Sequence, residues 1–187
     1  MDDTNGVMKD SGAALRRELD EVITPFIDKY RLKVMHDGAI ANNSVGSGAI
    51  SKTNAYEKLL AGQEKFGDAL VPLSNLITFC TYAYYSFIKL DPAFMLASEI
   101  SKKELINGMV GMVDGNKIVP TPKSYLELNV EFLTVHPSAT VAANKLTSYK
   151  THIDPPGLSG ALIEGRIRFD AFVLNSKKAG LYVHKTA

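Results

Sequence analysis

Cysteine is nearly missing from this sequence. Cys80 stands alone among 187 residues, so no disulfide can form within the chain, which suits a reducing compartment. Excess charge is missing too. The 21 Lys and Arg face 20 Asp and Glu, a formal net charge of +1, and that excludes the strongly basic surface of a dedicated nucleic-acid binder. No apolar run approaches the ~20 residues needed to cross a bilayer. The opening Met1-Asp2-Asp3-Thr4-Asn5-Gly6 is acidic and polar, unlike a secretory signal, and no segment repeats at a fixed period. What is present is 45% hydrophobic residues, enough to bury a core in one domain or two small lobes of a soluble protein.

The first apolar pattern is helical. Leu15, Leu19, Val22, Ile23, Phe26, Ile27, Tyr30 and Val34 recur at three- and four-residue steps, with charged residues between them. Pro25 removes a backbone donor in the middle, so a bend is expected there. Residues 36–52 have the Gly, Asn and Ser content of a connection. A second helix is expected from Asn54, capped by Asn54 and Glu57, through Leu59, Leu60 and Phe66 to a stop before Val71-Pro72. Beyond it, 75–81 reads as a buried strand and Tyr82–Leu90 as a short aromatic helix. Residues 109–113 and 117–119 flank Asp114-Gly115-Asn116, the chemistry of a tight hairpin. Residues 130–135 alternate like a strand, 138–146 suggests a short helix, and 163–174 and 181–184 read as strands around a turn at 175–180. Helices and strands mix without regular alternation, which points to α+β.

Candidate sites for chemistry are weak. Gly46-Ser-Gly-Ala-Ile-Ser-Lys52-Thr53 resembles a phosphate loop, but Ser51 replaces the glycine that lets amides converge on phosphate. A connection leading into a helix cap is the better reading. Cys80 and a histidine (His36, His136, His152 or His184) could form a nucleophile–base pair, yet none is near it in sequence and its surroundings are those of a buried thiol. The histidines lack zinc-site spacing. Glu127 with Glu131, and Glu164 and Asp170 around Arg166 and Arg168, read as strand faces with cross-strand ion pairs. Lys102-Lys103 and Lys177-Lys178 are too short for a nucleic-acid footprint. Phe79, Tyr82, Tyr84, Tyr85 and Phe87 read as packing surface. No catalytic, cofactor-binding or metal residue is assigned, and no cofactor.

The order of segments carries a resemblance. The run from Tyr149 through Asp154-Pro155-Pro156-Gly157 to Asp170-Ala171-Phe172-Val173-Leu174, closed by Lys177-Lys178-Ala179-Gly180-Leu181-Tyr182, resembles the C-terminal signature of tailed-phage major capsid proteins with the Hong-Kong-97-like fold. Residues 75–81 with their aromatic helix, 108–119, 135–141 and 15–30 resemble further family segments in family order. The resemblance implies a shell subunit with no enzymatic activity, in two lobes. A spine helix (1–36) and a linker (37–53) lead to an axial mixed α/β lobe (54–160). Strands in 161–187 then return to a peripheral antiparallel sheet. The implied partners are other copies of the chain in capsomers, with scaffolding protein, portal and packaged DNA on the inner face, and no membrane. The implied location is a virion capsid assembled in the bacterial host cytoplasm. The alternatives are a nanocompartment shell of the same fold, or a small hydrolase or nucleotide-binding enzyme around Lys52 or Cys80. The family's N-terminal arm and extended hairpin have no counterpart before the spine helix, so a truncated or processed chain is expected.

Overall fold

The computed structural model describes residues 12–91, 110–113, 115–153, 155–157 and 161–186. Lys102, Lys103, Asp114 and parts of the Asp154–Gly160 segment lie outside the described residues. The chain divides into two compact units, Met1–Arg31 with Ala142–Ala171, and Leu32–Val141 with Phe172–Ala187. The fold class is α+β.

Helix α1 runs over 12–41, about 45 Å at 1.5 Å per residue. The expected disturbance at Pro25 takes a definite form. Leu19–Ile23 is a turn of π-helix in which the Thr24 amide donates to the Leu19 carbonyl. A proline clashes with the carbonyl four residues back, here that of Glu21, and a wider turn over this stretch relieves the clash without ending the helix.

The larger unit is built on a six-stranded sheet. Its strands are β1 (Val45–Ser47), β2 (Leu76–Thr81), β3 (Val110–Val113), β4 (Asn116–Thr121), β5 (Val130–Val135) and β8 (Leu181–Lys185). They lie in the order β1-β8-β5-β2-β4-β3. β1 is parallel to β8 and β2 to β4, while β5 runs antiparallel to both β2 and β8. Both faces are covered, which explains why 76–81, 130–135 and 181–183 are apolar almost without interruption. On one face Leu76, Cys80, Ile118, Phe132 and Tyr182 pack under α2 (Ala55–Asp68) and α3 (Tyr82–Leu90) through Leu59, Phe66, Tyr84 and Ile88. On the other, Leu133, Val135, Leu181 and Val183 pack under Leu32 and Ala39 of α1. A register shift between Val130 and Phe132 sends these two residues to opposite layers, as a bulge does.

One polar group crosses the middle of this sheet. The buried Asn116 Nδ2 donates to Thr78 Oγ1 at 2.8 Å, and the Thr78 and Thr134 hydroxyls share a bond of 2.7 Å. Strands β4, β2 and β5 are thereby tied at one register. Two helical glycines set how closely the covering helices approach. A Cβ on Gly38 would meet Val173 Cγ2 at 2.8 Å, and one on Gly62 would meet the Tyr182 ring at 2.9 Å.

In the smaller unit, β6 (from Thr140 to Ile153) and β7 (from Ala161 to Val173) pair as a two-stranded sheet. Phe169 meets Phe26 and Tyr30 edge-on, with ring centroids at 6.0 and 5.5 Å. The Tyr30 hydroxyl donates to Asp170 Oδ1 at 3.0 Å.

Four local expectations change. Residues 138–146 form a short helical turn, Pro137–Ala139, and then strand β6; pairing with β7 overrides the helix preference of the alanines. The connection over 37–53 begins as the end of α1 and contains β1, because Val45 has a place beside Val183. The 161–187 segment does not stay in one sheet, since Leu181–Val183 is apolar on both faces and fits only a doubly covered sheet. Asn54 does not cap α2. Its side chain accepts from the Ser51 amide at 2.7 Å and donates to the Ala49 carbonyl, while Asp91, at the end of α3, accepts from the Tyr56 amide at 3.1 Å.

Gly62→Ala is expected to destabilise the protein by about 1–3 kcal/mol through overpacking on Tyr182, although alanine favours helix by roughly 1 kcal/mol. Gly67→Ala in the same helix, where a Cβ meets nothing within 4 Å, is expected to stabilise. Urea unfolding of both variants checks the pair, and equal midpoints would contradict it.

Candidate functional site

The residues with catalytic potential are spent on the fold. Cys80 is fully buried in β2, and burial pushes its thiol up to about 12. His184, in β8, lies on the same face two strands away. Phe132 stands between them, in register with both, its ring stacked on the imidazole at 5.2 Å with the planes 3° apart. His184 Nε2 donates to the Gly48 carbonyl at 3.1 Å, and its buried Nδ1 has no hydrogen-bond partner among the described residues. A thiol that stays protonated and is screened from the imidazole by a phenyl ring makes no nucleophile–base pair. The other histidines lie elsewhere. His36 is on α1 beside Asp37, His136 follows β5 and bonds Ser138, and His152 meets Glu164 at 3.4 Å.

The loop before α2 does not cradle phosphate either. Three of its amides are already bonded within the chain. The Gly48 amide donates to the Lys185 carbonyl, that of Ser51 to Asn54 Oδ1 and that of Thr53 to Ser51 Oγ. The paired carboxylates are separated by their partners. Glu127 holds Lys33 at 3.4 Å, and Glu131 accepts from Thr81 at 2.9 Å. Asp170 is taken by Tyr30, and Arg166 and Arg168 are exposed. Lys177 and Lys178 sit in the helical turn Asn175–Gly180. Of the aromatics, Tyr84 is core, its hydroxyl donating to the Ala55 carbonyl at 3.0 Å; Phe79, Tyr85 and Phe87 are half-buried and Tyr82 is exposed.

No family model matches the chain, and no curated protein matches it in sequence. Solved structures do match. A structure from Mycobacterium phage Che8 superposes with a TM-score of 0.66 at 15% identity, over 91% of this chain and 62% of that one. The mature capsid of bacteriophage PhiM1 gives 0.55 at 14% identity, over 76% and 51%. This is the tailed-phage capsid fold. A virus-like particle from Pyrococcus furiosus also matches, with a TM-score of 0.53 at 9% identity, over 88% of this chain and 64% of that one. The chain spans less than two thirds of the length of each of these neighbours.

Several large apolar side chains are exposed, which sequence patterning alone did not show. Phe26 is 64% exposed on the helix of the smaller unit, near the exposed Val22. Leu70, Tyr82, Leu90 and Leu128 are exposed on the larger unit. These side chains belong to apolar patterns or loops, and only the fold reveals that none of the described residues covers them. No described helix is long and apolar enough to cross a membrane.

Two titration outcomes follow. Cys80 is expected to resist thiol reagents at pH 8 in the folded protein and to react only on unfolding; reaction at the rate of a free thiol would contradict its burial. Burial lowers the His184 pKa, aided by Lys58 and opposed by the Gly48 carbonyl and Glu131. The unfolded chain therefore binds this proton more readily. Stability is complete above the ordinary value near 6.5 and falls as pH drops through it. Denaturant midpoints between pH 7.5 and 5 check this, and His184→Gln should flatten the slope.

Proposed function

We propose that the chain is the major capsid subunit of a tailed phage or prophage, self-assembling into pentamers and hexamers of an icosahedral, DNA-containing shell. The capsid fold, matched over 91% of the chain, is the observation that carries this reading. The buried and committed state of Cys80, His184 and the Lys52 loop supports a structural role over the hydrolase or nucleotide-binding alternative. In this reading the unit containing 12–31 and 142–171 is the peripheral lobe and the sheet-bearing unit the axial lobe. Copies of the chain are the main partners, with scaffolding protein, portal and packaged DNA as further ones, and the subunit resides in a virion capsid built in the host cytoplasm. Many weak, repeated contacts close such a shell.

A second reading is a shell of the same fold that encloses a cargo protein instead of a genome; the likeness to a virus-like particle from Pyrococcus furiosus agrees with a shell role without distinguishing the two. Expression in bacteria followed by electron microscopy separates these. Rings of five or six copies, or closed particles, are expected. Nuclease-sensitive DNA inside particles supports the phage reading, and a stoichiometric co-purifying protein supports the compartment. Monomers at every salt and protein concentration would overturn both.

A further inference from the structure

The turn after α2 contains two costs with no return among the described residues. The Leu70 amide donates to the Gly67 carbonyl and the Val71 amide to the Phe66 carbonyl, which is the paired bonding of a Schellman cap. That cap puts its penultimate residue in the left-handed region, where glycine is usual. Here the residue is Leu70, with φ +56°, and its side chain is 92% exposed. Leu73, in the same turn, is exposed as well. A strained backbone presenting an apolar side chain to water points to recognition by another molecule.

A matching surface lies at the opposite end of the same sheet. Residues 69–75 lead into the start of β2. Residues 122–129 lie beyond the end of β4, whose Thr121 is level with Thr81, the last residue of β2. The two loops are therefore separated by the length of the strands, about 20 Å for six residues. The second loop carries Leu128, 83% exposed, next to Asn129 with φ +62°. Charge is complementary as well. Asp68 is the only charged residue in 67–75. In 122–129, Glu127 is held by Lys33 and Lys123 is exposed. Among the described residues neither Asp68 nor Lys123 has an ion pair.

We propose that the Leu70 turn of one copy docks on the Leu128 loop of the next, with Asp68 facing Lys123, as a head-to-tail contact between copies. It rests on the shell-subunit reading and assigns that reading one joint. Opposite ends of one sheet give a heterologous contact, the kind that closes into rings when the rotation per copy permits. Two loops bury little area compared with a standard interface of roughly 1,600 Å², so each joint is weak and depends on repetition.

Sedimentation of the full chain over a wide concentration range, with variants, tests this. Leu70→Gly should weaken association about tenfold or more while leaving the monomer's melting temperature unchanged or raised, because glycine suits that backbone. Asp68→Lys should weaken it comparably, and adding Lys123→Asp should restore it. If the wild type associates and Leu70→Gly associates equally well, or if the double charge swap is no better than the single change, this contact is wrong and the shell reading stands. If the wild type stays monomeric throughout, both fall.

Discussion

Burial of one sheet from both sides is the constraint on which the larger unit depends. Strands β5, β2 and β8 have almost no residue free to face water, so their register has to be right for both layers at once. A one-residue slip would exchange Phe132 with Leu133 and Tyr182 with Val183, emptying two cores together. The Asn116–Thr78–Thr134 bonds guard against this from inside. A slipped register would leave a buried amide or hydroxyl unpaired, at a cost of about 1–3 kcal/mol each. The close approach at Gly38 and Gly62 follows from the same constraint, since helices covering both faces have to settle tightly on large side chains such as Tyr182 and Leu181.

The same constraint accounts for the burial of the most reactive described side chains. Cys80 and His184 look like catalytic raw material in the sequence, but each occupies a position in a layer that excludes water. His184 is neutral there because the layer disfavours charge, and its stacking on Phe132 is packing. Polar side chains near the loops close turns or caps, as Asn54 and Asp91 do. The exposed leucines and Phe26 lie at the periphery.

Much of the architecture was legible in the sequence. The long helix with Pro25, the aromatic helix 82–90 and strands 76–81, 130–135 and 181–185 follow from apolar period and turn chemistry. Gly115, with φ +79°, takes the left-handed role that the hairpin requires. What was not legible depends on partners distant in the chain. The start of the strand, over 140–146, looks helical until β7 is beside it, and Val45–Ser47 is a strand only because β8 has an open edge. The α2 cap comes from Asp91, 35 residues beyond the amide it serves, so no local motif could announce it. The exposed surfaces were hidden for the same reason: Leu70 and Leu128 are ordinary leucines in the sequence, and become notable only when the fold leaves them uncovered.

In the shell reading proposed above, the doubly covered core carries loops and faces that dock on other copies. Hydrogen–deuterium exchange on dispersed and assembled protein tests it most directly. The amides of β2, β5 and β8 are expected to exchange slowly in both states. Those of 69–75 and 122–129 should be protected only in the assembled one. Strand amides that exchange rapidly in the dispersed chain, or loops whose exchange is the same in both states, would contradict the account.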